Sequence, residues 1–221
     1  MPDRQTIAII GGTGDLGSGL ALRWARAGYP VVLGSRAREK AETAASEITA
    51  AVQGATVRGE DNLGAARAGD VVVIAVPFSN HGAILQEIRD AVQGKVVIDA
   101  AVPLVPPKVA VVQLPPEGSA AQIAQRILGE GAKVTSAFQN VSAAKLRDGG
   151  EIDCDVLVCG DDKAAKDVTI GLANAAGTRG VDAGALANSA EADALTSILI
   201  GINRRYKAHG AGLRITGLPA A

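Results

Sequence analysis

The stretch Thr6-Ile-Ala-Ile-Ile-Gly-Gly-Thr-Gly-Asp-Leu-Gly17 constrains this chain more than any other. Thr6 to Ile10 is a short apolar run rich in β-branched residues, the length of one buried parallel strand. Gly12, Gly14 and Gly17 follow at G-x-G-x-x-G spacing, and Leu16 to Ala27 continues at helical periodicity. Strand, glycine turn and helix in that order are the context in which such a triplet binds a dinucleotide. Gly12 is expected to permit the tight turn, Gly14 to let backbone approach a pyrophosphate, and Gly17 to let the helix pack close on the strand. The free N–H groups and positive dipole end of the new helix then favour the anion.

Gly28 stops that helix and Pro30 keeps it from resuming. Val31-Val-Leu33 is the second strand and runs into Gly34-Ser-Arg36. An NAD site places an acidic residue near here, about 20 residues beyond the glycines, to hold the ribose 2′-hydroxyl. This chain places Ser35, Arg36, Arg38 and Lys40 there, and the first acid is Glu39. A hydroxyl followed by cations suits a 2′-phosphate, since guanidinium and ammonium groups make charge-assisted bonds to phosphate oxygens. The same cations at a bare helix start would oppose the dipole. The pattern points to NADP rather than NAD.

The remaining chain alternates in the same way. Ala41 to Ala51 reads as a helix, Ala55-Thr-Val57 as a weak strand and Asn62 to Ala68 as a short helix. Asp70 to Val76 is apolar almost throughout and is expected in the centre of a parallel sheet, with Ser79 or Asn80 capping a helix from Gly82 to Val92. Val76 and Pro77, at that strand's carboxyl end, are expected beside a bound nicotinamide. Lys95 to Asp99 is a strand, and the loop from Ala100 to Glu117 holds five prolines. Ser119 to Leu128 reads as a helix, Lys133 to Phe138 as a strand, and Asn140 opens another helix. Asp155 to Val158 is a strand. Gly160-Asp-Asp162 caps a helix running to about Ala176, and Arg179 to Asp182 is a last short strand. From Asn188 to Lys207 runs one long pattern with Leu195, Ile198, Leu199 and Ile202 on one face, to be covered by the sheet domain or by a twin subunit. A glycine-rich tail with one further strand candidate, His209 to Ile215, closes the chain. The fold class is α/β: a Rossmann-type doubly wound, mainly parallel sheet with a small C-terminal helical part. The domains read as 1–160 and 161–221.

A net charge of -1 gives no electrostatic reason to bind nucleic acid or an anionic membrane, and aromatics at 2% supply no rings for base stacking. No apolar run reaches the ~18 residues that spanning a bilayer requires. Cys154 and Cys159 flank an apolar strand and read as core residues rather than metal ligands, and no metal site is expected. Met1 to Gln5 lacks a basic segment followed by an apolar core, so the expectation is a cytoplasmic protein. Ser79 and Ser136 have no histidine–carboxylate set in any nucleophile motif. Asp161 and Asp162 read as helix caps, and His81 as a surface or capping histidine.

Gly11-Gly-Thr-Gly-Asp-Leu-Gly17, Gly34-Ser-Arg36, Val158-Cys-Gly-Asp-Asp162, Asp182-Ala-Gly-Ala-Leu186 and Asn203-Arg-Arg-Tyr-Lys-Ala-His209 together resemble the NADPH:coenzyme F420 oxidoreductases, nearly end to end. The resemblance implies a homodimer that passes a hydride between NADP and the deazaflavin coenzyme F420, a small-molecule redox co-substrate. It implies that Thr13, Gly14, Asp15 and Leu16 line the pyrophosphate, and that Ser35, Arg36 and Lys40 hold the 2′-phosphate. Val76, Val102 and Ala143 would surround the nicotinamide. The deazaflavin would lie over Phe138, Gln139 and Val141 and near Ala211 and Gly212. Many relatives carry histidine at Gln139 and tryptophan at Phe78. Glutamine still makes hydrogen bonds there but carries no proton at neutral pH. Hydride transfer between stacked rings requires alignment and exclusion of water rather than a catalytic acid or base. Reduction of a pterin, flavin or imine, or non-catalytic sensing of NADP(H), are the other readings. A ring-sized cavity lined by Phe138, Gln139 and the tail separates an enzyme from a sensor. His209, in that tail, is read evenly as a packing or a contact residue.

Overall fold

Apolar runs of four or five residues, each followed by a helical segment, become a layered α/β structure in a computed structural model that describes residues 4–218. In chain order the first half comprises β1 (Ile7–Ile10), α1 (Asp15–Arg26), β2 (Val31–Ser35), α2 (Arg38–Ala51), β3 (Val57–Asp61), α3 (Asn62–Ala68), β4 (Val71–Ile74) and α4 (Phe78–Ile88). The second comprises β5 (Val96–Asp99), α5 (Ala120–Leu128), β6 (Lys133–Ser136), α6 (Ala143–Asp148), β7 (Asp155–Gly160), α7 (Lys163–Ala175), β8 (Arg179–Asp182) and α8 (Ser189–Tyr206).

The strands form one eight-stranded sheet in the order β3-β2-β1-β4-β5-β6-β7-β8. Every neighbouring pair is parallel except β6 and β7. The chain winds outward from β1 to β3, then crosses back to place β4 on the other flank of β1, so the order reverses between β1 and β4. That reversal opens a crevice at the strands' carboxyl ends. Strand alternation splits the core in two: Ile7 and Ile9 join Trp24, Leu33 and Ile98 on one face, while Ala8 and Ile10 join Val72, Ile74 and Leu85 on the other. Asp61, Ser119 and Asp162 cap α3, α5 and α7 by accepting from Gly64, Gln122 and Ala165 N–H groups.

Several boundaries differ from the sequence expectation. The third strand is Val57–Asp61 rather than Ala55–Val57, because an edge strand tolerates the charges of Arg58, Glu60 and Asp61. Helix α4 starts at Phe78, with Pro77 at its N-cap and no side-chain cap, so neither Ser79 nor Asn80 performs the expected role. β6 stops at Ser136, and α6 begins at Ala143. The sheet shows no break at residue 160, since β7 and β8 continue it. Ile198 is 47% exposed and Ile202 36% exposed, so the sheet does not cover the apolar stripe of α8. The buried face of α8 is Ala192, Asp193, Ser197 and Leu199 instead.

The tail forms no strand, yet it is tied to β7. Asp155 N–H donates to Leu213 O at 2.8 Å, and Ile215 N–H donates to the Asp155 carboxylate at 2.5 Å. Arg179 grips that carboxylate with two bonds of 2.8 and 2.6 Å and donates to Ile215 O as well.

Candidate functional site

The residue at positive φ in the glycine turn is Gly11, at +80°, not Gly12 as the triplet suggests. A side chain at Gly12 would instead strike Leu33 and the Ile9 carbonyl. Gly17 behaves as its spacing implies: a Cβ there would sit 2.6 Å from Gly11 O, so its absence lets α1 close onto the turn. At Gly14, only two carbonyl oxygens lie within 4.0 Å of a Cβ position, so the space such an atom would take belongs to the adjoining cleft. Gly14 is the N-cap of α1 and offers no side-chain partner to the helix's first N–H groups.

That cleft, of ≈ 330 Å³, lies at the β1/β4 reversal. Thr13 and Gly14 form its floor, Val76 and Pro77 one wall, and Ser35, Arg36 and Lys40 the other. Asp15, Leu16, Val102 and Ala143 lie outside its lining. Asp15 pairs with Arg147 at 2.9 Å, Leu16 leans on the core, and Ala143 starts α6, which packs on Gly19 of α1. Among the described residues neither Arg36 nor Lys40 makes an ion pair, whereas Arg38 is engaged by Glu42 at 2.8 Å and by Glu60 at 3.2 Å. The three cations seen in sequence therefore divide into two free for an anion and one already neutralised. Asn62, which sequence reasoning missed, adds to the wall, and its buried Oδ1 has no hydrogen-bond partner. Its place at the start of α3, opposite Gly34, is a product of β2–β3 pairing that no local motif announces.

A second cavity, of ≈ 260 Å³, follows β6 at the same edge of the sheet. Gln139, Val141 and Ala211 line it together with Thr196 and Asn203 of α8. Phe138 does not. Its backbone sits at φ 73°, and this turns the ring into the core, 1% exposed and edge-on to Trp24 at 5.8 Å. The expectation of a Phe138 ring in the cavity is corrected. Gly212 also lies outside the lining, close over Cys154, and His209 is exposed and lines neither cavity. Gln139 is held by Nε2 bonds to Asp99 O at 3.0 Å and Ser136 Oγ at 2.7 Å. Thr196 Oγ1 donates to Gln139 O at 3.0 Å, which joins α8 to the segment beyond β6.

The family described as NADP oxidoreductase, coenzyme F420-dependent, matches residues 6–103. The F420-dependent NADP reductase of Methanocaldococcus jannaschii is 43% identical over 221 residues, covering 96% of this chain and 98% of the relative. That of Methanothermobacter thermautotrophicus is 44% identical over 222 residues, covering 96% and 95%. This chain belongs to the F420-dependent NADP oxidoreductase family. A crystal structure from Arthrobacter sp. FB24, provisionally described as an F420-dependent NADP reductase, shares the fold with a TM-score of 0.81 at 25% identity, over 96% of this chain and 99% of that one.

In this member of the F420-dependent NADP oxidoreductase family the wall between the cavities is backed by a polar cluster that the sequence did not disclose. His81 is 1% exposed, not a surface residue, and its Nε2 lies 2.6 Å from Asp99 Oδ2. The reversal of the expectation has a plain cause: α4 starts four residues earlier than read, which turns His81 inward over the end of β5. Burial alone would lower the imidazole pKa, but the charge and hydrogen bond of Asp99, with Asp193 behind it, raise it above its ordinary value. Phe78 stacks on that imidazole at 5.8 Å. Asp161 and Asp162 are spent on backbone N–H groups of Leu186 and Ala165, and both cysteines are buried thiols.

Proposed function

We propose that the protein transfers a hydride between NADP(H), held in the first cleft, and coenzyme F420, held in the second cavity. The observation that carries this reading is the pair of uncommitted cations, Arg36 and Lys40, beside Ser35 in the cleft wall. A 2′-phosphate is the anion that such a wall fits, and the Gly14 cradle and the orphaned Asn62 Oδ1 suit the rest of a dinucleotide. Thr13 and Gly14 would flank the pyrophosphate, with Asp15 and Leu16 contributing first-turn N–H groups rather than side chains. Val76 and Pro77 would pack on the nicotinamide, with Val102 and Ala143 closing that end.

When bound, the nicotinamide and the deazaflavin supply the hydride chemistry themselves. The chain positions two flat rings at one edge of the sheet and keeps water from between them. Gln139, fixed by Asp99 and Ser136, would orient the acceptor ring with Val141, Ala211 and Gly212, and Phe138 would serve through its backbone. Residues 1–160 then carry the nucleotide and 161–221 close the acceptor side.

Mixing the protein with NADPH and F420 and following NADPH absorbance tests the reading. Turnover with F420 is expected. Turnover only with a pterin, flavin or imine would reassign the acceptor, and NADPH binding without any turnover would make the protein a sensor. Gln139→His should raise kcat/KM with F420 several-fold if a titrating group at that place assists acceptor binding. Unchanged kinetics would show the position to be neutral.

We read the assembly as a homodimer in the cytoplasm. The apolar stripe of Ile198 and Ile202 on α8 stands beside exposed Val111 and Val112 of the proline-rich loop, whose Ala110 reaches Gly201, and a second copy would cover it. Two free thiols suit a reducing compartment, and no helix among the described residues is long and apolar enough to cross a membrane. Ile198→Glu is expected to yield monomers at micromolar concentration in sedimentation velocity, with NADPH binding intact. A variant that sediments like the wild type would place the interface elsewhere.

A further inference from the structure

Three ionisable side chains from three different elements meet behind the two cavities: His81 of α4, Asp99 of β5 and Asp193 of α8. None is more than 2% exposed. Asp99 is fully engaged, Oδ2 by His81 and Oδ1 by Ala101 N–H at 2.9 Å. Asp193 Oδ2 accepts from Ala120 N–H at 3.0 Å, but among the described residues its Oδ1 has no partner, and neither has His81 Nδ1. One imidazole thus bonds one carboxyl and acts on the other only through its charge, and an interior supplies no solvent for the surplus charge.

The geometry points to a proton-linked positioning unit: with its carboxyl protonated, Asp193 seats α8 against the sheet and keeps the acceptor cavity in shape, and loss of that proton loosens α8 and weakens acceptor binding. This rests on the reading of the second cavity as the acceptor site. Burial raises the Asp193 pKa, and the charge of Asp99 adds to it, against the Ala120 N–H and His81, leaving it at about 7. The other groups facing it do not alter the balance. Cys159 of β7 is pushed up to about 11 by burial and is uncharged, and Ser119 and Ser189 pair with each other at 2.7 Å. His81 is therefore the one cation that answers two acids among the described residues.

The mechanical link is short. Thr196 lies one helical turn beyond Asp193 and donates to Gln139 O, while Asn140 Nδ2 donates to Thr196 Oγ1 at 3.1 Å and to Ala192 O at 2.9 Å. Leu199 and Asn203, further along α8, line the acceptor cavity. The wall of the first cleft formed by Ser35, Arg36 and Lys40 stands on β2 and the start of α2, separated from β6 by the three strands β1, β4 and β5. Acceptor binding should feel the proton, and NADPH binding should not.

The test compares full-length wild type, Asp193→Asn and Asp193→Glu between about pH 5 and pH 9. In the wild type, amide hydrogen exchange in α8, corrected for its intrinsic pH dependence, should accelerate as pH rises towards about 7, at up to the roughly tenfold per pH unit that one proton allows, and level off above it. KM for F420, whose binding the protonated native form favours, should rise above about pH 7 while kcat and the NADPH dissociation constant stay level. Asp193→Asn should flatten both profiles, and Asp193→Glu, which keeps a titrating carboxyl, should restore them. Flat wild-type exchange, or a profile that survives in Asp193→Asn, would overturn the proposal. Absence of F420 turnover at every pH would instead count against the acceptor reading, since the exchange of α8 is measured without it. In the wild type alone, the infrared carbonyl band of a buried protonated carboxyl should be present at pH 6 and gone by pH 9. Its absence at pH 6 would also overturn the proposal.

Discussion

Arg36→Glu is expected to weaken NADP binding by about 2–4 kcal/mol, the loss of a charge-assisted pair plus repulsion from the new carboxylate, and to leave NAD binding nearly unchanged. In dissociation constants that is roughly 30- to 1000-fold for one nucleotide only. Arg38→Glu supplies the contrast. Arg38 is already bound to Glu42 and Glu60 and does not line the cleft, so its reversal should spare the preference for NADP. Isothermal titration of both variants with both nucleotides decides the matter. Equal losses for NADP and NAD in Arg36→Glu would mean that Arg36 does not read the extra phosphate, and an altered preference in Arg38→Glu would put the reading residue two positions further on.

Asp193→Asn is expected to change the pH dependence of folding as much as any single substitution in this chain. The carboxyl has an ordinary value of 3.8 and stands at about 7 in the folded protein. Between those two pH values the native state holds a proton that the unfolded chain has released, so stability falls as pH rises across that window. The difference between the two values corresponds to an effect on the order of 4 kcal/mol, complete above about pH 7. The raised His81 pKa acts in the same direction: its contribution is present below about 6.5 and is lost as pH rises through the folded value. Asparagine cannot ionise, so urea unfolding from pH 4.5 to 9 should show the wild type losing ground against Asp193→Asn up to about pH 7 and a constant gap above it. Parallel curves would show that Asp193 is ionised throughout. This measurement involves neither nucleotide nor acceptor, which makes it independent of the enzymatic assignment.

The parts of the fold that sequence reasoning reached share one physical property: they are buried on both faces. β1, β2, β4 and β5 are unbroken apolar runs because helices cover the sheet on each side, and such runs stand out against a chain with 20% charged residues. β3 was displaced because it is an edge, where Arg58, Glu60 and Asp61 are tolerated and the apolar signal vanishes. Much of the first cleft was legible for a different reason. Its glycines and cations are local in sequence, within one β–α–β unit, although the turn fell to Gly11 rather than Gly12, while Asp15, Leu16, Val102 and Ala143 stayed out of the lining and Asn62 was missed.

The second cavity and the cluster behind it were harder, since they assemble from β5, the segment after β6, α8 and the tail. Whether Phe138 faces a cavity or the core depends on one backbone angle, +73°, that a phenylalanine rarely adopts and that no propensity anticipates. His81 reads as a solvent histidine until α4 is known to start at Phe78, when the same residue comes to rest on Asp99, eighteen positions along the chain. Pairings of that kind are set by sheet order, and sheet order is the last thing a linear pattern yields.

The knot that Asp155 and Arg179 make around Ile215 has a consequence for the order in which the protein matures. Every residue lining the nucleotide cleft lies between Gly11 and Ile84, whereas the acceptor cavity borrows part of its rim from Ala208, Gly210 and Ala211. A ribosome therefore delivers the first site more than a hundred residues before it delivers the second. Under the proposed assignment the lining of the nucleotide cleft is synthesised whole before that of the acceptor cavity, and the last strap to be laid across β7 completes the second.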